Sequence, residues 1–379
     1  MVKRTIKKEL HRELKPLVPQ GVFLEHLGKT YFNLASNDYL GLSSWLDGQQ
    51  DFMRSLLEEK SFLMSALSSR LLTGNVPAYA LLENEIAREY GSETCLVFNS
   101  GYHANIGILP ALTTKNDLIL ADKLVHASLI DGMKLSPCKW LRFRHNDLDD
   151  LLRLLEKERN RHENIFIVTE SVFSMEGDLA DLARLVEIKN KYDAFLYVDE
   201  AHALGVRGNR GLGLAEELGL LSRIDLLVGT FGKALASQGA FVVCAKMIHE
   251  LLVNAARSLI FTTGMPPINL LWTRFLWRKM IGMPAERASL QSKVRQFRNR
   301  LAARKLLGDS HIVPMLFDNN EACLRCSEKL REAGLWVPAI RHPTVPLHRP
   351  RLRFSLSAAF TEDQMKEIHE IVLAHTAEP

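Results

Sequence analysis

The sequence of 379 residues predicts an α/β protein: a mainly parallel central sheet flanked by helices, with a smaller C-terminal α+β domain. Three observations carry that expectation. From about residue 46 to 280, short apolar runs alternate with stretches of helical periodicity, the pattern of a parallel sheet covered on both faces. Several of those runs stop abruptly in polar or glycine-bearing turns, as strands do where their carboxyl ends open onto a ligand. Beyond residue 280 the alternation gives way to a long charged helix and short strands.

Taken in order, residues 3–15 read as a basic amphipathic helix, followed by a Pro-Gly break and strands near 22–24 and 31–34. Such a segment has too little apolar surface to fold alone, so residues 1–45 are expected to pack on the body of the protein or on a second subunit. The large α/β domain, 46–280, carries candidate strands at 95–98, 118–121, 140–143, 165–169, 195–198, 226–229 and 241–244. Its helices fit 81–90, 104–112, 128–135, 148–159, 179–191 and 248–257, the fifth capped by Asp178. The small domain, 281–379, is expected to hold a helix over 284–307, short strands, two helices and a strand near 352–356.

Composition narrows the class. With 47% hydrophobic and 24% charged residues the chain can bury a substantial core, and a net charge of +4 is too small to indicate a nucleic-acid binder. Five scattered cysteines point to a reducing compartment; Cys323-Leu324-Arg325-Cys326 lacks a second pair or histidines at zinc spacing. No apolar run reaches eighteen residues, because Arg257, Pro266, Pro267 and Arg274 interrupt the best candidate. The first residues lack a secretory core, so the expected location is the cytoplasm.

Chemistry concentrates at strand ends. The run 226–229 delivers Lys233 into a loop of Thr, Gly, Ala and Ser. An ε-amine there can form a Schiff base with a carbonyl cofactor if burial or charge frees a neutral fraction. The preceding strand ends in Asp199-Glu200-Ala201-His202, which would bring Asp199 to the same rim as Lys233. A carboxylate against a pyridinium nitrogen keeps it protonated and makes the ring an electron sink, the need of pyridoxal phosphate. The same four letters occur in nucleotide-hydrolysing helicases, but Gly28-Lys29-Thr30 is preceded by Phe23 where their phosphate loop needs glycine.

Further groups follow other strands. Asn99-Ser100-Gly101-Tyr102 opens a helix whose amides suit a phosphate; a glycine there also simply serves the turn. His126 starts a helix, where capping and catalysis are both open, and Ser174 is a candidate hydrogen-bond donor. Asn37 can offer an amide to a ligand. In the last domain Arg341, Arg351 and Arg353 stand among prolines and a strand: a carboxylate clamp, or singly a solvated surface.

The ordered set Asn37-Asp38-Tyr39-Leu40-Gly41, Ser69-Arg70-Leu71-Leu72-Thr73-Gly74-Asn75, Ser100-Gly101-Tyr102, His126-Ala127-Ser128, Asp199-Glu200-Ala201-His202 and Thr230-Phe231-Gly232-Lys233 resembles the α-oxoamine synthases, pyridoxal-phosphate enzymes of fold type I. The likeness runs from about residue 20 to the end. It implies Lys233 as the Schiff-base lysine, Asp199 as partner of the pyridine nitrogen, His202 on the ring hydroxyl and His126 stacked on the ring. It further implies Gly101, Tyr102 and Thr230 around the phosphate, Ser174 near the ring, and Thr262 and Thr263 reaching the cofactor of a second subunit in a homodimer. Arg353 matches the carboxylate-binding arginine, and Asn37 and Thr344 match substrate-side positions.

Within the family, Ala339-Ile340-Arg341 followed by Pro343-Thr344-Val345-Pro346 resembles the members that condense L-alanine with a pimeloyl thioester, carried by coenzyme A or acyl-carrier protein. Sister members use glycine or serine with another acyl-CoA. The chain departs from the family pattern at Ser65-Ala66, at Ala236 and at Tyr79, where glycines and a histidine are usual; His11 or Arg12 stands where an acyl-binding arginine is sought.

Overall fold

The computed structural model describes residues 14–58 and 64–376. In chain order its strands and helices are β1 (Val18–Gln20), β2 (Phe23–His26), β3 (Lys29–Asn33), α1 (Leu46–Glu58), α2 (Pro77–Tyr90), β4 (Thr94–Phe98), α3 (Gly101–Leu112), β5 (Leu118–Asp122), α4 (Ala127–Leu135), β6 (Lys139–Phe143), α5 (Leu148–Glu158), β7 (Ile165–Glu170), α6 (Leu182–Lys191) and β8 (Phe195–Asp199). There follow α7 (Leu214–Glu217), β9 (Leu226–Thr230), β10 (Ala240–Cys244), α8 (Lys246–Ala255), α9 (Arg257–Ile260), α10 (Pro267–Ile281), α11 (Pro284–Arg300), β11 (Ile312–Leu316), α12 (Asn320–Glu332), β12 (Leu335–Trp336), β13 (Ala339–Ile340), β14 (Arg351–Ser355) and α13 (Glu362–His375). Two compact units result. One comprises Asp38–Ser174 and Asp178–Ala288; the other runs up to Asn37, includes Met175–Gly177 and resumes at Ser289.

The larger unit is built on a seven-stranded sheet in the order β4-β10-β9-β8-β7-β5-β6. β9, β8, β7, β5 and β6 pair in parallel, whereas β10 is antiparallel to both β9 and β4. Every residue of β5, β7, β9 and β10 is buried, as continuous apolar runs with helices on both faces require. α3 packs against α4, α8 and α9, and α2 against α10. At Gly132 of α4 a Cβ would collide with the Asn105 carbonyl, so glycine there lets α4 and α3 approach closely.

Helix starts follow side-chain chemistry: Ser100 caps α3, His126 caps α4 and Asp147 caps α5, each accepting a hydrogen bond from a backbone N–H of the first turn. The cap of α6 is Asp181, which accepts from the Arg184 N–H, and the helix begins at Leu182 rather than 179. Asp178, expected as that cap, instead bonds the His145 ring and the Asn146 amide. α1 and α10 lie where the sequence signals no helix.

In the smaller unit β1, β2 and β3 form an antiparallel meander extended by β12, parallel to β3; β11, β14 and β13 form a second, antiparallel sheet. Leu24, Tyr31 and Trp336 pack into one apolar cluster, and Phe297 lies 5.3 Å from Phe354 between ring centres. Arg351 is no surface residue: it is fully buried, 2.7 Å from Glu176. The helix expected over 284–307 ends at Arg300, after which the chain turns. Cys323 and Cys326 lie buried in α12, and all five cysteines are free. Among the described residues no helix is long and apolar enough to cross a membrane, and no cluster of metal-binding side chains occurs.

Candidate active site

Lys233 sits on a loop whose two stems are neighbouring strands. Thr230 at the end of β9 pairs with Ala240 at the start of β10. Inside that pair the Phe231 N–H donates to the Gly239 carbonyl at 2.9 Å, the Thr230 hydroxyl donates to the same carbonyl at 3.0 Å, and the Ser237 N–H returns to the Phe231 carbonyl at 2.9 Å. Phe231, Ala234 and Leu235 are buried and anchor the loop beneath the lysine. A turn from the Lys233 carbonyl to the Ala236 N–H, 2.9 Å, holds Ala236 at φ +45°, in the left-handed region. That region suits the glycine usual in the family.

The loop overhangs a cavity of about 170 Å³ at the rim where β5, β7, β8 and β9 end together. Seven of the residues singled out in the sequence line it: Lys233, Asp199, His126, His202, Gly101, Tyr102 and Thr230. The cavity also receives Asn105, Ser128, Glu170 and Ala201, to which the sequence alone assigns no role. Asp199 is buried with both carboxylate oxygens engaged: Oδ1 accepts from the Ala201 N–H and Oδ2 from the Asn105 amide, each at 2.9 Å. Glu200 faces away. Its carboxylate accepts from the Ser171 hydroxyl and from the Leu214 and Ala215 N–H groups, so the second acid of the Asp-Glu pair is structural.

The two histidines are both held from behind. His126 Nδ1 lies 2.7 Å from the Ser128 hydroxyl and accepts from the Ser128 N–H at 3.2 Å. Burial, helped by the Lys233 charge and opposed by the Asp199 carboxylate, leaves the His126 imidazole below its ordinary range. His202 Nδ1 lies 2.7 Å from the hydroxyl of the fully buried Tyr39. Glu170 accepts from the His126 N–H; burial, reinforced by Asp199, pushes its carboxyl well above the usual carboxylate range.

The other expected positions lie elsewhere. Ser174 is half-buried in the turn after β7 and is not among the cavity's lining residues. Thr262 and Thr263 sit beside Asn99, whose amide donates to the Thr262 hydroxyl at 3.3 Å and to the Thr263 carbonyl at 2.8 Å. Asn37, Arg341, Thr344 and Arg353 belong to the smaller unit. There Arg353, buried, donates to Asn37 Oδ1 at 3.2 Å and to the Ser355 hydroxyl at 2.7 Å, and the Thr344 N–H bonds the Arg341 carbonyl at 3.0 Å. Arg12 and His11 lie outside the described residues. Arg70 packs 3.8 Å above the Tyr79 ring, pairs with Glu83 at 2.7 Å and bonds Asn75, which gives the Ser69–Asn75 motif a structural task.

Residues 29–372 match the family described as aminotransferase class I and II. A Haemophilus influenzae protein with the provisional name 8-amino-7-oxononanoate synthase is 48% identical over 363 residues, spanning 95% of each chain. A Pasteurella multocida protein of the same provisional name is 47% identical over 365 residues, 95% of this chain and 93% of that one. Among solved structures, a serine palmitoyltransferase from S. paucimobilis with a bound adduct of pyridoxal phosphate and myriocin superposes with a TM-score of 0.88 at 30% identity, covering 96% of this chain and 92% of that one. The 8-amino-7-oxononanoate synthase of Francisella tularensis gives 0.75 at 30% identity, with 92% and 98% covered.

The donor set fits pyridoxal phosphate: a primary amine for its aldehyde, a buried carboxylate for its ring nitrogen, imidazoles for its ring and hydroxyl, and the start of the 12-residue α3 for its phosphate. The chain thus belongs to the aminotransferase class I and II family and, within it, to the α-oxoamine synthases of fold type I, as a pyridoxal-phosphate-dependent acyltransferase.

Proposed function

We propose that the chain condenses L-alanine with pimeloyl-CoA, or with pimeloyl-acyl-carrier protein, to give 8-amino-7-oxononanoate, carbon dioxide and the free thiol, a step of biotin biosynthesis in the cytoplasm. The observation that carries this reading is the 48% identity over nearly the full chain to a relative of that provisional name, set against 30% to serine palmitoyltransferase. The higher TM-score of the latter keeps a second reading, in which glycine or serine meets a different acyl-CoA.

In this reading the Lys233 amine would hold the cofactor through its aldehyde and, once freed by the amino acid, would take the α-proton on Nζ. Bound pyridoxal phosphate supplies a ring that accepts the electron pair left at the α-carbon when the proton, and later the carboxylate, departs. Asp199 would keep the ring nitrogen protonated; two unit charges about 4 Å apart at an effective dielectric of about 20 attract by about 4 kcal/mol. His202 bonds the ring hydroxyl with Tyr39 behind it, and Ser174 adds a contact near the ring. Gly101 and Tyr102, with the Thr230 hydroxyl, receive the phosphate. His126 would lie against the ring and donate a hydrogen bond to the thioester oxygen as negative charge develops there.

Arg353, with Asn37, takes the carboxylate of the amino acid. Arg341 and Thr344 serve on the substrate side, and His11 or Arg12 stands where the acyl substrate's arginine is sought. A homodimer completes the site, Thr262 and Thr263 of one protomer reaching the phosphate held by its partner. Incubating the holoenzyme with alanine, glycine or serine, each with pimeloyl-, acetyl- or palmitoyl-CoA, tests the assignment by thiol release and product mass. Release with the alanine and pimeloyl pair and the mass of the aminoketone are expected. Preferential turnover of another pair overturns it. Lys233→Ala should abolish both the cofactor's protein-bound absorbance and turnover.

A further inference from the structure

Asn105 lies on α3 one turn beyond Gly101 and is 1% exposed. Every polar atom of its side chain has a partner. Oδ1 accepts from the Tyr197 hydroxyl at 2.6 Å; Nδ2 donates to Asp199 Oδ2 and to the Ser128 hydroxyl, both at 2.9 Å. The direction of each bond is set by chemistry. Tyr197 is fully buried, and burial together with Asp199 keeps its phenol protonated, so it donates and the amide oxygen must face it. The NH₂ group is thereby turned toward the carboxylate and Ser128.

The consequence passes on to His126. The Ser128 oxygen already accepts from Asn105, which leaves its own proton free for His126 Nδ1 at 2.7 Å. The Ser128 backbone N–H, which can only donate, also points at that nitrogen. Two donors cannot face a third, so Nδ1 carries a lone pair and the imidazole proton resides on Nε2.

We propose that Asn105 is a positioning residue of this active site: it fixes the orientation of the Asp199 carboxylate and, through Ser128, locks His126 in the tautomer protonated on Nε2. His126 then presents the cofactor side with a donor and not a base, which leaves proton abstraction to Lys233. The inference deepens the proposed function and rests on its reading of Asp199 and His126 as groups acting on cofactor and substrate; it is independent of which amino acid or thioester is used.

The first test needs no change to the network. In holoenzyme labelled with ¹⁵N-histidine, the His126 signals are identified by their loss in His126→Asn. A deprotonated-type Nδ1 shift and a protonated-type Nε2 shift are expected; the opposite tautomer, or an imidazolium at neutral pH, overturns the proposal. The second uses the isosteric Asn105→Asp, which turns a carboxyl toward Asp199 and Tyr197. Cofactor affinity, measured by equilibrium dialysis, should fall by about ten-fold or more at neutral pH and recover as the pH is lowered toward the carboxylate range. Unchanged affinity, or a loss equal at every pH, counts against a positioning role. Asp199→Asn separates the levels: if it binds cofactor like the wild type, the reading of Asp199 itself falls. If it binds weakly while Asn105→Asp does not, only the role of Asn105 falls.

Discussion

His145 stands between two carboxylates, with Nδ1 3.0 Å from Asp122 and Nε2 2.8 Å from Asp178. Burial alone would push its imidazole down, but the hydrogen bonds it donates to Asp122 and Asp178 outweigh this and hold it up to about 10. The clamp ties together the turns after β5, β6 and β7, including those that lead to His126 and Ser174. A rise from 6.5 to about 10 corresponds to at most about 5 kcal/mol. Allowing for the cost of taking three charges out of water, a loss of about 2–3 kcal/mol is expected for His145→Gln at pH ~6. Because the folded-state value lies above the unfolded one, this stabilisation is complete below about 6.5 and is lost as the pH rises through about 10. Urea unfolding of wild type and variant at pH ~6 and ~11 should therefore show a stability gap that narrows to under about 1 kcal/mol. A gap that stays constant or widens with pH would refute the clamp.

Other outcomes follow from the same geometry. His369, buried in the smaller unit with Nε2 unpartnered, is pushed down to about 4 by burial and Arg300. The unfolded chain therefore binds a proton that the folded one refuses, and stability should fall as the pH drops from 6.5 toward 4. His369→Leu should flatten that limb of an acid-unfolding curve, and an unaltered curve would remove His369 from the account. Ala236→Gly relieves about 1–2 kcal/mol of left-handed strain against about 0.4–1 kcal/mol of added chain entropy. The melting temperature should hold or rise slightly, and a clear drop would contradict the strain. Tyr39→Phe removes the hydroxyl behind His202 and should weaken cofactor binding by up to about ten-fold in equilibrium dialysis; wild-type affinity would show that the Tyr39 bond does not orient the ring.

All seven strands of the large sheet were visible in the sequence because each is a short β-rich apolar run bounded by turns, which fixes its existence to within a residue or two. The reversal of β10 was not. Phe241-Val242-Val243-Cys244 is buried on both faces and reads the same in either direction. α10 escaped because Leu270, Leu276, Trp277 and Met280 leave little contrast between its sides, and α1 because its buried side is reduced to Gly48, Phe52 and Leu56. The side chains that face the cavity from strand ends were legible as chemistry placed after strands. Their supports were not: Tyr39 is 163 positions from His202 and Asn105 is 94 from Asp199, distances that only folding closes. Asn105 nonetheless left a signal, since one helical turn separates it from Gly101, placing both on the same face of α3.

The reversal of β10 has a consequence for the amine. In a wholly parallel sheet the chain leaves each strand for a helix, and a residue in that departure inherits whatever slippage the helix has. Here both ends of the segment 231–239 are riveted to adjacent rungs of one ladder. Inserting or deleting a single residue between the rivets has no helix to absorb it, so the length of that span sets how far Lys233 reaches over the rim, and lineages of this chain should tolerate changes of residue there far better than changes of count.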